Sequence, residues 1–517
     1  MNLPKGEDNS LNEGVITVAI MLATVMQVLD MTIVNVSLPY MQGGLSATRD
    51  QIAWVLTSYI VASAVMTPVT GWISARLGRK RVFLWSVVIF TITSMMCGTA
   101  QTLSEMVLFR LLQGLAGAAL VPLSQSILLD TYPRERHGSA MALWGMGIMV
   151  GPILGPTLGG YLTEYANWRW VFFINLPVGI FATMLIAGFV PETKKRLDVP
   201  FDFQGFLLLS LAISALQMML DRGERMDWFS SNEILLEAVV SGYCFYAFLV
   251  HAWTTKHPFL DLRLLRDRNY ASSLVFIFIV GIILFSTLAL MPPFLQSLLD
   301  YPVVTTGLLL APRGFGTMFA MMVVGRLLKR FDARPIMMFG FLMTAESLWE
   351  MSGFNLDIGV VEVVRTGIIQ GIGLGCIFVP LSTVAYATLA PQHRNEAASV
   401  FSLLRNAGSS IGISVMFTQL DRFAQINHAY LGEHITAFNP WFWRQGLPEV
   451  MHPSSQQGLV VLNGLVTRQS ELIGFLNDFK AMMLLALIMA PMVWLMKSNR
   501  VPQPAPAPAA QEVAQEA

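Results

Sequence analysis

Charge is what this chain has least of. Only 13% of its 517 residues are Asp, Glu, Lys or Arg, against 54% hydrophobic residues and a mean hydropathy of +0.57. A soluble domain carries roughly a quarter charged residues, so that class is excluded and a polytopic membrane protein is expected. Lys and Arg equal Asp and Glu at 33 each, which leaves no basic surplus for nucleic acid. The three cysteines, Cys97, Cys244 and Cys376, sit inside apolar runs without metal-ligand or disulfide spacing, so they read as small core residues. No Gly-rich loop ending in Lys-Ser/Thr is present, which argues against ATP drive. No catalytic constellation, metal-ligand set or cofactor motif is found either, and an enzyme is not expected. A signal peptide is not expected: the polar start precedes an apolar run too long for a signal core and without a small-residue cleavage site.

What the chain does have is long apolar runs. Fourteen are long enough to span a bilayer, from 14–38 and 52–75 through to 396–419 and 477–497. Connections on one side hold Arg76, Arg79, Lys80, Arg81, Arg134, Arg136, Lys194, Lys195, Arg196 and most later cations. The other side holds Arg49, Arg169, Arg222, Arg225, Arg422, Arg444 and Arg468. Cations accumulate on the cytoplasmic side, so both termini are expected inside, in agreement with an even span count.

The first run contains one acid, in Leu29-Asp30-Met31-Thr32-Ile33-Val34-Asn35-Val36-Ser37-Leu38-Pro39. A carboxylate at that depth costs roughly 2.5–3.5 kcal/mol on insertion scales. With a helix ending before Pro39, Asp30 lies roughly 13 Å from its end, well inside the hydrocarbon layer. Burial favours the neutral acid and a facing cation favours the anion, so such a group can take up and release protons as its surroundings alternate. The competing reading is a structural acid hydrogen-bonded to a neighbour. Arg110, about five residues from one end of its helix, is at a depth that could face Asp30, as a switching residue or as a simple packing residue.

The chain also resembles itself. Val121-Pro122-Leu123-Ser124 and Val379-Pro380-Leu381-Ser382 recur, each followed by a second proline (Pro133, Pro391) and then by Arg136 or Arg394. Arg110 precedes Gln113-Gly114, and Arg365 precedes Gln370-Gly371. Two six-helix halves related as parallel repeats place a binding site at their interface. The expected division is a cytoplasmic tail (1–13), an N-terminal bundle (14–190), an inserted helix pair with linkers (191–270), a C-terminal bundle with a long outer loop at 420–476 (271–498) and a disordered Pro/Ala/Gln-rich tail (499–517).

After the second run comes Gly71-Trp72-Ile73-Ser74-Ala75-Arg76-Leu77-Gly78-Arg79-Lys80-Arg81, where the glycines allow a tight turn and the cations hold the anionic surface. The fifth run reads Gly147-Ile148-Met149-Val150-Gly151-Pro152-Ile153-Leu154-Gly155-Pro156-Thr157-Leu158-Gly159. Its small residues at every fourth position make a flat face against which a neighbour can slide. On these motifs the chain resembles the major facilitator superfamily. Asn167-Trp168-Arg169-Trp170-Val171-Phe172-Phe173-Ile174-Asn175-Leu176-Pro177, the Asp30 stretch and His257-Pro258-Phe259-Leu260-Asp261-Leu262-Arg263 narrow the likeness to the fourteen-helix drug/proton antiporters, the EmrB/QacA-like branch. That resemblance implies an all-α major facilitator fold, two six-helix bundles plus two inserted helices. It also implies export of amphipathic toxic compounds across the bacterial inner membrane, driven by the proton gradient and needing no cofactor. Members from Gram-negative bacteria work with a periplasmic adaptor and an outer-membrane channel, which makes both expected partners besides protons and membrane lipid. Ala75 stands where the superfamily loop has Asp, so a lock built on that carboxylate is not expected in this chain. A proton-driven importer, and a channel or membrane sensor of the same fold, remain as alternatives.

Arg313, Glu346, Arg365 and Arg405 also fall within apolar runs. Glu346 is expected to pair with Arg313 or Arg405, or else to be a second proton site. Arg313, Arg365 and Arg405, with Asn35 and Gln113, are the candidate cavity lining, and the excess of cations suits weak organic acids. Methionine and phenylalanine can line an adaptable pocket, although in a membrane bundle most are apolar filler. In the outer loop, Pro440-Trp441-Phe442-Trp443 looks like an interfacial anchor, and the apolar pattern from Gly458 to Phe475 like a helix lying on the membrane.

Overall fold

The computed structural model describes residues 7–497 except 48, 53, 134–135, 194–200, 224–225, 256–257, 259, 261, 329, 390–393 and 436–454. The chain is a bundle of long helices, as it must be where a bilayer offers backbone groups no water. In order they are α1 (Glu7–Gly44), α2 (Trp54–Met66 and Val69–Leu77, bent by 57°), α3 (Arg79–Thr99), α4 (Leu103–Thr131), α5 (His137–Tyr165), α6 (Trp170–Phe189) and α7 (Phe203–Arg222). Then come α8 (Asn232–Thr254), α9 (Arg268–Leu298), α10 (Val303–Leu327), α11 (Ala333–Met351), α12 (Val360–Ala387), α13 (Arg394–Glu433) and α14 (Gln456–Met492). Twelve are each long and apolar enough to cross a membrane, and the bent α2 makes a thirteenth. The fourteenth, α11, carries Arg334, Glu346 and Glu350 and packs between α12 and α14. Side-chain caps set several starts: Thr102 accepts from the Glu105 amide, Asp202 from Gly205, Asp267 from Asn269 and Tyr270, and Ser455 from Gly458.

Helices α1–α6 pack as one bundle, α9–α14 as a second, and α7 and α8 pair with each other beside α2. Two expected boundaries move. Pro39 does not end α1, which continues to Gly44. The expected loop at 420–476 is largely helix, because α13 runs out to Glu433 and α14 is continuous from Gln456. The segment from Gly458 to Phe475 is therefore an extension of a spanning helix and cannot lie flat on the surface. It pairs with α13, with His428 and Asn463 3.1 Å apart. Pro440 to Trp443 and the tail at 499–517 lie outside the described residues.

The glycine face of α5 serves its own bundle. A Cβ on Gly151 would lie 2.9 Å from the Val28 carbonyl carbon, one on Gly155 2.1 Å from Thr32 Oγ1, and one on Gly159 2.9 Å from the Ile33 oxygen. Gly147 faces Met21 in the same way. Thr32 Oγ1 donates to the Gly151 carbonyl at 3.1 Å, so α1 and α5 meet backbone to backbone as a fixed contact. Pro152 is half-buried, while the Pro156 side chain lies outside the described residues. The seam between the bundles uses another face of α5, where Gly145 meets Met321 and Ile153 meets Gly314 of α10.

That seam closes the end of the molecule from which α1 starts and at which α14 finishes. Trp144 stacks on Phe378 across it at 6.0 Å, and the Tyr386 hydroxyl donates to Gln125 at 3.1 Å. The basic loop joins here. Gly78 turns at φ 95°, a conformation glycine tolerates. Gly71 lies against the Glu396 backbone of α13, and Thr70 hydrogen-bonds Ser399 at 3.0 Å. Lys80 is half-buried. Arg79 ion-pairs with Asp130 at the end of α4, and Arg394 at the start of α13 reaches the same carboxylate at 3.2 Å. Asp130 thus ties both bundles together in a loop where Ala75 supplies no charge.

Gly155→Leu is expected to force α1 and α5 apart and cost about 1–3 kcal/mol, read as a lower melting temperature in detergent. Asp130→Asn is expected to shift the balance away from this closed end by roughly 5- to 150-fold, read as faster thiol labelling of a cysteine placed at Ser399.

Candidate functional site

Asp30 is fully buried, and the sequence around it explains why it can be. It sits on α1 facing α4 and α6, and three side chains donate to it. Arg110 Nη1 reaches Oδ2 at 2.7 Å, Gln113 Nε2 reaches Oδ1 at 3.1 Å and Asn175 Nδ2 reaches Oδ1 at 2.9 Å. Arg110 and Gln113 are one helical turn apart on α4, so both point the same way. Arg110 is 1% exposed. It donates twice more: Nε to the Val55 carbonyl at 3.1 Å and Nη1 to Gln113 Oε1 at 2.8 Å. The guanidinium also lies over the Tyr59 ring at 4.4 Å, an attraction that a desolvated site strengthens.

A second layer holds the first. Asn175 Nδ2 also lies 2.9 Å from Ser94 Oγ on α3, and Ser94 donates to the Phe172 carbonyl at 2.9 Å. The amide of Gln113 both accepts from Arg110 and donates to Asp30, so its orientation is set by the two charges it joins. Five helices of one bundle thereby converge on one carboxylate. An ionised acid and a guanidinium in this geometry satisfy each other, and losing either charge leaves the other buried without a counter-ion.

The structure brings Asp30, Arg110 and Gln113 together and leaves other candidates apart. Asn35 is exposed and donates to the Met31 carbonyl on its own helix. Glu346 is exposed on α11 and forms no ion pair among the described residues, so neither the pairing with Arg313 or Arg405 nor a buried second proton site holds. The helical turn puts Ser347 and Leu348 inward and Glu346 outward. Arg365 is not buried either: its side chain is 59% exposed and it bridges Glu350 at 3.1 Å. Arg313 is buried and donates only weakly, to the Leu284 carbonyl at 3.4 Å, while half-buried Arg405 has its Nε without a hydrogen-bond partner. Neither has a carboxylate partner among the described residues. Asn175 completes the Asp30 cluster and was not singled out, although an amide inside an apolar run two residues before Pro177 was a visible signal.

A family model described as Major Facilitator Superfamily matches residues 20–413. The multidrug export protein EmrB of Escherichia coli (strain K12) is 36% identical, covering 82% of this chain and 84% of its own length. The fatty acid resistance protein FarB of Neisseria gonorrhoeae is 35% identical over 93% of this chain and 96% of its own. Among solved structures, the proton:xylose symporter XylE aligns over 94% of this chain and 96% of its own with a TM-score of 0.60 at 14% identity. At that identity it speaks for the fold alone. The chain belongs to the Major Facilitator Superfamily, in its drug/proton antiporter branch.

Proposed function

We propose that this protein is a multidrug exporter driven by proton exchange, with Asp30 as the proton carrier. The observation that carries the reading is the buried carboxylate held by Arg110, Gln113 and Asn175 on two other helices. While Asp30 is ionised, α1, α4 and α6 are tied through it. A proton on Asp30 removes the charge-assisted bond to Arg110, whose cation must then find other acceptors, and the packing of the three helices changes with it. Exchange needs only that protonation and substrate occupancy favour different arrangements of the bundles. The cation excess of the basic loops supports a cytoplasmic position for the closed end of the seam and for both chain ends.

The family relatives named for multidrug export support the efflux assignment. Buried Arg313 and half-buried Arg405, cations without a facing carboxylate among the described residues, support amphipathic acids as preferred cargo, as does the likeness to a protein named for fatty acid resistance. The paired ends of α13 and α14, far longer than a bilayer requires, support docking of a periplasmic adaptor that leads to an outer-membrane channel.

Asp30→Asn is expected to abolish substrate extrusion in energised inverted vesicles, a loss of at least about 100-fold, while the protein still inserts. Unchanged extrusion under an imposed pH gradient would refute its role, and extrusion that persists after a protonophore collapses the gradient would favour a channel. Arg405→Gln is expected to lower resistance to hydrophobic acids more than resistance to quaternary ammonium dyes in the same cells. A clear preference of the wild type for dyes would end the acid reading.

A further inference from the structure

One fully buried acid takes no part in the Asp30 cluster. Asp478 lies on α14, about 21 Å from the helix's last residue, Met492, at 1.5 Å of rise per residue. It is 0% exposed, and neither carboxyl oxygen has a hydrogen-bond partner. Its surroundings are apolar. On the same face of α14, Phe475 packs on Phe294 with centroids 5.5 Å apart, and Met482 Sδ lies 3.6 Å from Thr287 Oγ1 of α9. One turn away, Gly474 sits so close to α13 that a Cβ would lie 2.9 Å from the Leu420 oxygen.

The charged groups on the neighbouring helices do not compensate it. On α11, Glu346 is exposed and Glu350 pairs with Arg365. Helix α9 carries no charged residue after Arg268. On α14 itself Lys480 is exposed and Arg468 pairs with Asp300. On α13, Arg422 is exposed, and Asp421, exposed at the neighbouring level, acts on Asp478 with a charge of the same sign. A carboxylate without hydrogen bonds, out of water and beside a second acid, is stable there only as the neutral acid. Losing its proton requires α13 and α14 to part enough to admit water or a cation.

We infer that Asp478 is a second proton-exchange site, located in the C-terminal bundle and loaded from the non-cytoplasmic face by way of Asp421. The proton passes from water on the non-cytoplasmic side to the Asp421 carboxylate, then to Asp478, and is released to cytoplasmic water when the bundle opens to that side; each step moves one proton between carboxylates or water, and both acids end as they began. The inference rests on the proton-exchange reading, and it adds one proton to each cycle beside that of Asp30.

The test uses the full-length protein in liposomes with a neutral amphipathic substrate, its steady gradient measured against imposed pH gradients. Asp478→Asn is expected to lower the substrate gradient sustained per pH unit by about tenfold, the worth of one proton. An equal slope in wild type and variant would overturn the site. Infrared difference spectra of the wild type give a readout independent of folding in the variant. A carbonyl band of a free carboxylic acid, moved by Asp478→Glu and lost on substrate binding, supports the site, and absence of that band overturns it. Asp421→Asn is expected to slow proton uptake and leave the slope intact. Failure of the Asp30 reading looks different, because Asp30→Asn would then keep the wild-type slope whatever Asp478 does.

Discussion

The molecule is built around the pairing of Asp30 with Arg110. Two opposite charges with 0% and 1% of their side chains exposed are tolerable in an apolar bundle only because each completes the other. The remaining oxygen of Asp30 is taken by Gln113 and Asn175, and Arg110 donates further to Val55 and Gln113. This mutual dependence makes the cluster sensitive to a single proton. Neutralising one partner leaves a bare guanidinium in a low-dielectric space, and helices held by it must move or admit water. A pair exposed to solvent would lose almost nothing by the same event.

Much of this was legible in the residues. Composition alone dictated helices and a membrane, because 54% hydrophobic residues in long runs have no other stable arrangement. Asp30 stood out as the one acid of its run, and Arg110 with Gln113 shared a helical face toward it. What was not legible was rotation. Glu346 lies within an apolar run as Asp30 does, yet it faces outward while Ser347 and Leu348 face in, and a run of apolar neighbours on every side hides which face is which. Arg365 failed for a different reason: α12 begins at Val360, so this arginine is only just inside its helix end and reaches Glu350 at the surface. Asp478 was hidden by a boundary, since α14 begins well before the apolar run that marks its span.

The two bundles divide the work unevenly. In the first, buried charge is matched and the glycine face of α5 packs closely on α1, so the cluster sits in a tightly packed frame. In the second, Arg313 and Arg405 lack carboxylate partners among the described residues and Asp478 lacks any hydrogen bond. Charge left unmatched inside a membrane is costly, and it persists where something else completes it. A cargo anion can do so for the arginines, and a proton can do so for the acid.

Movement must then pass through the contact between the bundles. The α5–α10 seam is made of side chains such as Met321 and Ile153 against small residues, and an unbranched thioether repacks at little cost. At its end Asp130 holds Arg79 and Arg394, one from each bundle. Partly open to water, this tie is worth far less than the buried one at Asp30. The order of strengths follows: the ties across the seam are weaker than the tie at Asp30, so the bundles part from each other at less cost than α1, α4 and α6 part from one another.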